Sequence, residues 1–228
     1  MVLFIRGFKF LALIMPFISA FAYAGETMSA LSRRSDAELV LLLTDRDTKV
    51  RQLAAIALGR RYQNPKADEV LSHYPPADTL PPEARVPDGV VCGLARVMNN
   101  DAELKVRLSA LIAVHCLRFR TNTSPLIVNL LTDKTLAVRL RAADTLVSIA
   151  HEYREELPKG VLPTLIQCLA TSESEEVIWQ AAYSLGRIGP PAREAVVALE
   201  KLKNHKSKKV RKYASEALLK IGRATTHG

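Results

Sequence analysis

Five segments of this chain begin on valine and share one pattern, and a pattern recurring at intervals of 30 to 50 residues constrains the fold more than any other feature of a sequence. They are VRQLAAIALG from Val50, VRLSALIAVH from Val106, VRLRAADTLV from Val138, VIWQAAYSLG from Val177 and VRKYASEALL from Val210. Successive starts lie 56, 32, 39 and 33 residues apart, so all but the first interval approach a single hairpin length and the first carries an insertion. Small or apolar residues fall at i, i+4, i+7 and i+8 in each, as with Val50, Ala54, Ala57 and Leu58. That spacing lines one face of a helix and lets a neighbouring helix approach closely.

Each segment is preceded by a shorter amphipathic run, at 39–43, 90–98, 126–131, 162–169 and 195–202. The pair forms a hairpin in which the valine segment is the second helix. Ser124-Pro125 and Gly189-Pro190-Pro191 are start signals, because proline in a first turn forfeits no hydrogen bond and its fixed φ suits the helix. Composition agrees: the apolar content is Ala, Leu and Val with only 6% aromatic residues, which suits packed helices better than a sheet. The expected fold is all-α, a right-handed α-solenoid of about five helical hairpins.

A second spacing supports the alignment. Asp45, Asp101 and Asp133 precede Arg51, Arg107 and Arg139 by six residues each, so the turn inside a hairpin offers a carboxylate to the start of its second helix. In the fourth repeat both members are absent, with Ser172 and Ile178 in their places, and the fifth keeps Arg211 but has His205. The chain thereby resembles the HEAT-repeat superfamily, above all the bacterial phycobilin-lyase-type HEAT-like repeats whose second helix reads like V-R-x-x-A-A-x-A-L-G. The resemblance spans roughly residues 36 to 222 and implies that the Asp and Arg residues form a structural ladder. It is specific for fold and uninformative for function, since such repeats serve many roles.

The N-terminus is expected to be a cleaved signal peptide over residues 1–24. Arg6 and Lys9 supply the positive region, 10–22 the apolar stretch, and Ala22-Tyr23-Ala24 the small residues before cleavage. Pro16 interrupts that stretch, which falls short of the roughly 20 residues a membrane span needs. The chain is therefore expected to be exported, to a periplasm or beyond. A start at Met28 would instead leave a cytoplasmic protein of the same fold. Residues 25–35 read as a linker, 62–88 as a proline-rich insertion with six prolines, and 223–228 as a tail.

The third and seventh positions of the valine motif point away from the hairpin core. In HEAT-like solenoids these face the concave side. They place Leu108, Ile112, Leu140, Trp179 and Tyr183 where water favours polar groups, and Trp179 is the only tryptophan. A protein partner on that surface is the expectation. Charge is uneven: nine Lys and Arg follow residue 200 against Glu200 and Glu216. This excess suits either a solvated end cap or, through Lys206, Lys208, Lys209 and Lys212, a patch for an anionic partner.

Enzyme readings fare less well. Deoxyhypusine hydroxylases carry four His-Glu dyads as iron ligands, whereas this chain has the single pair His151-Glu152. Phycobilin lyases share the repeat but act inside cells or plastids, and HEAT-type DNA glycosylases carry their basic residues along a groove. Cys92, Cys116 and Cys168 are an odd set on apolar helical faces and read as small buried hydrophobes, with a Cys92–Cys116 bridge within one hairpin as the alternative in an oxidising compartment. No Gly-rich phosphate loop, nucleophile elbow or metal-ligand spacing is present in the sequence. The expectation is a non-enzymatic scaffold without metal or cofactor and with nucleic acid an improbable partner. The alternatives are a lyase-type enzyme or accessory and a structural envelope component.

Overall fold

The computed structural model describes residues 28–63, 85–117, 123–153, 156–172 and 174–222. The expected signal peptide, most of the proline-rich insertion and the tail lie outside these residues. The described residues are helical, without strands, and fall into two compact units, one containing 28–63 with 85–117 and the other 123–222.

The first unit contains α1 (Met28–Ser32), α2 (Asp36–Leu42), α3 (Thr48–Tyr62), α4 (Asp88–Asn100) and α5 (Leu104–Cys116). Residues 28–32 are thus helical where a linker is expected, because Leu31 is buried and α1 packs on α3. Ser35 and Glu38 form a capping box at α2: the Ser35 hydroxyl accepts from the Glu38 amide at 3.3 Å, and the Ser35 amide donates to the Glu38 carboxylate at 2.7 Å. Arg61 and Tyr62, in the last turn of α3, both donate to the Asp36 carboxylate and close the hairpin end.

The second unit contains α6 (Ser124–Val128) running into a 3-10 helix at Asn129–Thr132, α7 (Leu136–Tyr153), α8 (Val161–Thr171), α9 (Glu175–Ile188), a 3-10 helix at Pro190–Ala195, α10 (Val196–Leu202) and α11 (Lys208–Gly222). Both proline start signals hold, and Gly189 occupies positive φ at +70°, which lets α9 stop before Pro190.

Each unit stacks hairpins through their second helices, α3 on α5 in the first and α7, α9 and α11 in turn in the second. The valine motif explains the stacking. Its fifth residue is alanine in every repeat (Ala54, Ala110, Ala142, Ala181, Ala214), and all five are fully buried. Its tenth residue is glycine twice, and both times the neighbouring helix comes close there. A Cβ on Gly59 would meet the Ala113 backbone at 2.8 Å, and one on Gly186 would meet Ala217 at 3.1 Å. Small side chains here bring helix backbones together without voids.

The turn carboxylate does meet the start of the second helix as expected, but the arginine six residues on is not what it meets there. Within a repeat the guanidinium takes main-chain carbonyls, not the carboxylate: Arg51 donates to the Asp45 carbonyl (2.9 Å), Arg107 to that of Asp101 (3.0 Å), Arg139 to that of Asp133 (2.7 Å) and Arg211 to that of His205 (2.7 Å). The acidic side chain instead accepts the amide two residues on, at the start of the second helix. Asp45 takes Asp47, Asp101 takes Glu103 and Asp133 takes Thr135. Ser172 and His205 do the same for Ser174 and Ser207, so the fourth and fifth repeats keep this turn with other acceptors.

Candidate partner-binding site

The carboxylate of the turn has a second edge, and in the first unit that edge joins repeats. Arg51 donates Nε and Nη2 to the two Asp101 oxygens at 2.7 and 3.1 Å. Both side chains are largely buried, 14% and 7% exposed. Burial pushes the Asp101 carboxyl up, but the Arg51 fork, the Glu103 amide and the Arg107 charge outweigh it and hold the group below its ordinary value. In the second unit Arg139 has Ser172 in the next repeat instead of an aspartate, and its buried Nε has no hydrogen-bond partner among the described residues. In the first unit the ladder is one largely buried ion pair that ties a repeat to the next.

The five apolar ridge residues divide between the units. In the first, Leu108 is half-buried and Ile112 is 51% exposed. Gln52, at the third position of its motif, donates to Ser109 at the fourth position of the following repeat, at 3.3 Å. In the second unit Leu140 is only 3% exposed, which removes it from the expected partner surface. The third position does not always face solvent, because the long helix α7 packs against α6, the adjoining 3-10 helix, α8 and α9.

Trp179 and Tyr183 join a cluster that sequence reasoning only half anticipated. Trp179 stacks on Tyr213 of the last repeat, ring centroids 5.0 Å apart, and Tyr183 meets Tyr213 edge-on at 5.8 Å. The indole Nε1 donates to Glu176 at 2.7 Å, and the Lys209 ammonium lies 3.7 Å from the centre of the indole ring. Lys209 is also 3.7 Å from Glu176, while Lys212 lies 5.6 Å from the centre of the Tyr213 ring. Hydrogen bonds from Trp179 and Gln180, together with Lys209, hold the Glu176 carboxyl below its ordinary value against the opposing effect of desolvation. Trp179 is half-buried with its polar edge satisfied, and the exposed aromatic is Tyr183, at 41%.

Tyr213 was missed because it sits at the fourth motif position, outside the two expected to project. The signal that finds it is the crossing of Gln52 with Ser109: a third-position side chain meets the fourth position of the next repeat, as Trp179 meets Tyr213. The basic patch and the aromatic ridge, separate in the sequence, adjoin in space through Lys209 and Lys212; Lys208 is exposed at the start of the same helix and Lys206 in the turn before it.

His151 is exposed in the last turn of α7, and the Glu152 side chain lies outside the described residues. Cys92 is exposed, contrary to expectation, Cys116 is half-buried, and Cys168 is buried, with desolvation pushing its thiol up to about 11 against the opposing charge of Arg139. Among the described residues no group of three His, Cys, Asp or Glu could hold a metal ion, and no helix is long and apolar enough to cross a membrane.

A family model for HEAT repeats matches residues 162–226. The fold is that of a HEAT-like repeat protein. Solved structures agree over most of the HEAT-like chain. An engineered protein is 24% identical over 86% of this chain and 84% of its own, with a TM-score of 0.54. A second engineered protein is 22% identical over 83% and 99%, at 0.50. The complex of CpcE and CpcF of phycocyanin lyase from Nostoc sp. PCC7120 provides a chain 19% identical over 89% and 68%, at 0.55. At these identities the likeness is one of fold. The comparison with curated proteins found no match.

Proposed function

We propose that this HEAT-like solenoid is an exported, non-enzymatic scaffold that takes a protein partner on the aromatic ridge of its second unit. The observation that carries the reading is Tyr183, a large aromatic left 41% exposed beside the Trp179 and Tyr213 stack. Aromatic side chains of this kind concentrate binding energy when a partner covers them. The Glu176 carboxylate beside the ridge accepts from the indole Nε1 at 2.7 Å and from Gln180 at 2.9 Å, which fixes the polar edge of the ring. The similar phycocyanin lyase chain comes from a complex of two different proteins, which accords with protein binding by this fold. A lyase-type activity rests on likeness of fold alone. Export rests on Arg6, Lys9 and the Ala22-Tyr23-Ala24 ending.

The test is affinity purification from the exported fraction, with the retained partner identified by mass. Tyr183→Ala should lower the melting midpoint only slightly, by the loss of its edge-on contact with Tyr213, and weaken that partner by about 2 kcal/mol. Retention unaffected by Tyr183→Ala would move the site elsewhere. N-terminal sequencing of the mature chain should begin near Gly25, and an intact Met1, or a start at Met28 in a cytosolic fraction, would remove export.

A further inference from the structure

The ridge is bordered by an excess of positive charge, and that border says what the occupant is. From residue 196 to 222 the last hairpin carries eight Lys and Arg against two Glu. Some of this charge is used internally: Arg211 holds the His205 and Lys206 carbonyls, and Lys203 pairs with Glu200 at 3.1 Å. Lys206 and Lys208 are exposed with no carboxylate in ion-pair reach among the described residues. Besides the rings they lie over, Lys209 and Lys212 have only loose, solvated carboxylate partners, Glu176 at 3.7 Å and Glu216 at 3.9 Å. Exposed pairs of this kind contribute little and exchange readily for a better-placed carboxylate.

We propose that the occupant is an extended acidic segment of the partner, with carboxylates on Lys208, Lys209 and Lys212 and an apolar side chain laid against Tyr183 and Tyr213. This rests on the scaffold reading above and adds the chemistry of the partner. Covering these lysines with a neutral or basic surface would strand their charge, whereas acidic side chains replace the water they lose. Spacing selects an extended chain. Lys208 and Lys212 stand one helical turn apart, about 6 Å along α11, close to the roughly 6.6 Å between alternate residues of a strand. Lys209 lies over one ring and Lys212 beside another, so the charges frame the aromatic surface and favour an apolar residue flanked by acids. Glu176 and Glu216 stand among the lysines, which disfavours the continuous phosphates of a nucleic acid or membrane surface and admits separate carboxylates.

The probe is a fluorescein-labelled heptapeptide with one Phe flanked by three Glu on each side, titrated by fluorescence anisotropy into the full mature chain at 0.1 M salt. Saturable binding is expected. It should weaken about tenfold in Tyr183→Ala and about tenfold in the double variant Lys208→Ala, Lys212→Ala. Replacing the peptide's Phe by Ala should also weaken it. Circular dichroism confirms that each variant is folded, and Lys212→Gln repeats the test where the double variant is not. Absence of saturation by about 1 mM peptide overturns the proposal. So does equal affinity for the Phe-less peptide, or equal competition by a dT12 oligonucleotide or by phosphatidylglycerol vesicles at matched charge, since the site would then read bulk anionic charge. A captured partner that depends on Tyr183 but is not displaced by the heptapeptide defeats the acidic segment and leaves the scaffold reading standing. A captured partner indifferent to Tyr183 defeats the scaffold site itself.

Discussion

The joint between the first two hairpins and the joint between the last two use the same seam and different clasps. In both, a tenth-position glycine lets the helix pair close on an alanine of the next repeat, Gly59 on Ala113 and Gly186 on Ala217. The first joint adds a buried ion pair, Arg51 to Asp101, and a hydrogen bond from Gln52 to Ser109. The last has Ile178 and His205 where the ion pair would be, and stacks Trp179 on Tyr213 where the Gln52 bond would be. Packing of small residues is therefore the invariant part of the repeat. The polar clasp is interchangeable, and where it is exchanged for aromatics Tyr183 is left exposed beside the stack.

The largest expected effect is at the ionic clasp. Arg51→Ala strands the buried Asp101 carboxylate and should destabilise the protein by about 3 kcal/mol, because breaking one side of a buried pair leaves its partner's charge uncompensated. Arg211→Ala removes only carbonyl bonds in a half-exposed turn and should cost about 1 kcal/mol. Denaturation followed by far-UV circular dichroism compares them, and equal losses would show that the clasp adds nothing to the turn. The ionic joint should also be acid-sensitive. The Asp101 carboxyl is depressed in the folded state, so its contribution is present above the unfolded value near 4 and is lost as pH falls below it through the folded value. Arg51→Ala should flatten that acid loss.

The aromatic clasp comes next. Trp179→Ala removes a half-buried stack, a hydrogen bond to Glu176 and the Lys209 contact together. A loss of about 2 kcal/mol is expected, below the 3 to 5 of a fully buried tryptophan. A thermal midpoint equal to the parent's would mean that the indole does not hold the joint. Tryptophan fluorescence of the parent should show partial quenching by acrylamide, since Trp179 is the only tryptophan and neither fully buried nor free.

These two residues also mark how far the sequence reaches. The hairpins were legible because burial repeats with helical period, and the five buried alanines sit where the motif places them. The Asp and Arg spacing was legible as a regularity and not as a bonding pattern, since a six-residue interval fits either a carboxylate or its own main-chain carbonyl as acceptor. Leu140 was misplaced because a helical wheel shows which way a residue leaves its own helix and not which neighbours cover that direction. Tyr213 needed a relation between repeats, third position to fourth, that no single helix displays.

A smaller effect separates the two glycine seams. Alanine at position 59 would press its Cβ into the Ala113 backbone, which has no flexible end to yield, and should cost about 1 to 3 kcal/mol by overpacking. Alanine at position 186 meets Ala217 a few tenths of an ångström farther away. There the gain of up to about 1 kcal/mol in helix propensity offsets most of the strain. Gly59→Ala should thus lower the melting midpoint clearly and Gly186→Ala hardly at all. Equal shifts would mean that the two seams close to the same distance in solution.

The smallest expected effect is a gain. Arg139 repeats the geometry of Arg51 as far as its own turn, donating Nη1 to the Asp133 carbonyl, but the following repeat answers with Ser172 in place of an aspartate. The Ser172 hydroxyl still accepts the Ser174 amide at 3.1 Å, so an aspartate there can keep that bond with one oxygen, as Asp101 does with Glu103. Its other edge would face the buried Nε that has no partner among the described residues. Ser172→Asp should therefore stabilise the second unit by about 0.5 to 1.5 kcal/mol, the net worth of a charge-assisted bond after the carboxylate is partly desolvated. The gain belongs to the ionised form, so it should be present at neutral pH and disappear below about pH 4. The control is the double variant Ser172→Asp, Arg139→Ala: if the aspartate stabilises the protein as much without Arg139 as with it, the new carboxylate acts as a better turn acceptor and not as a restored rung.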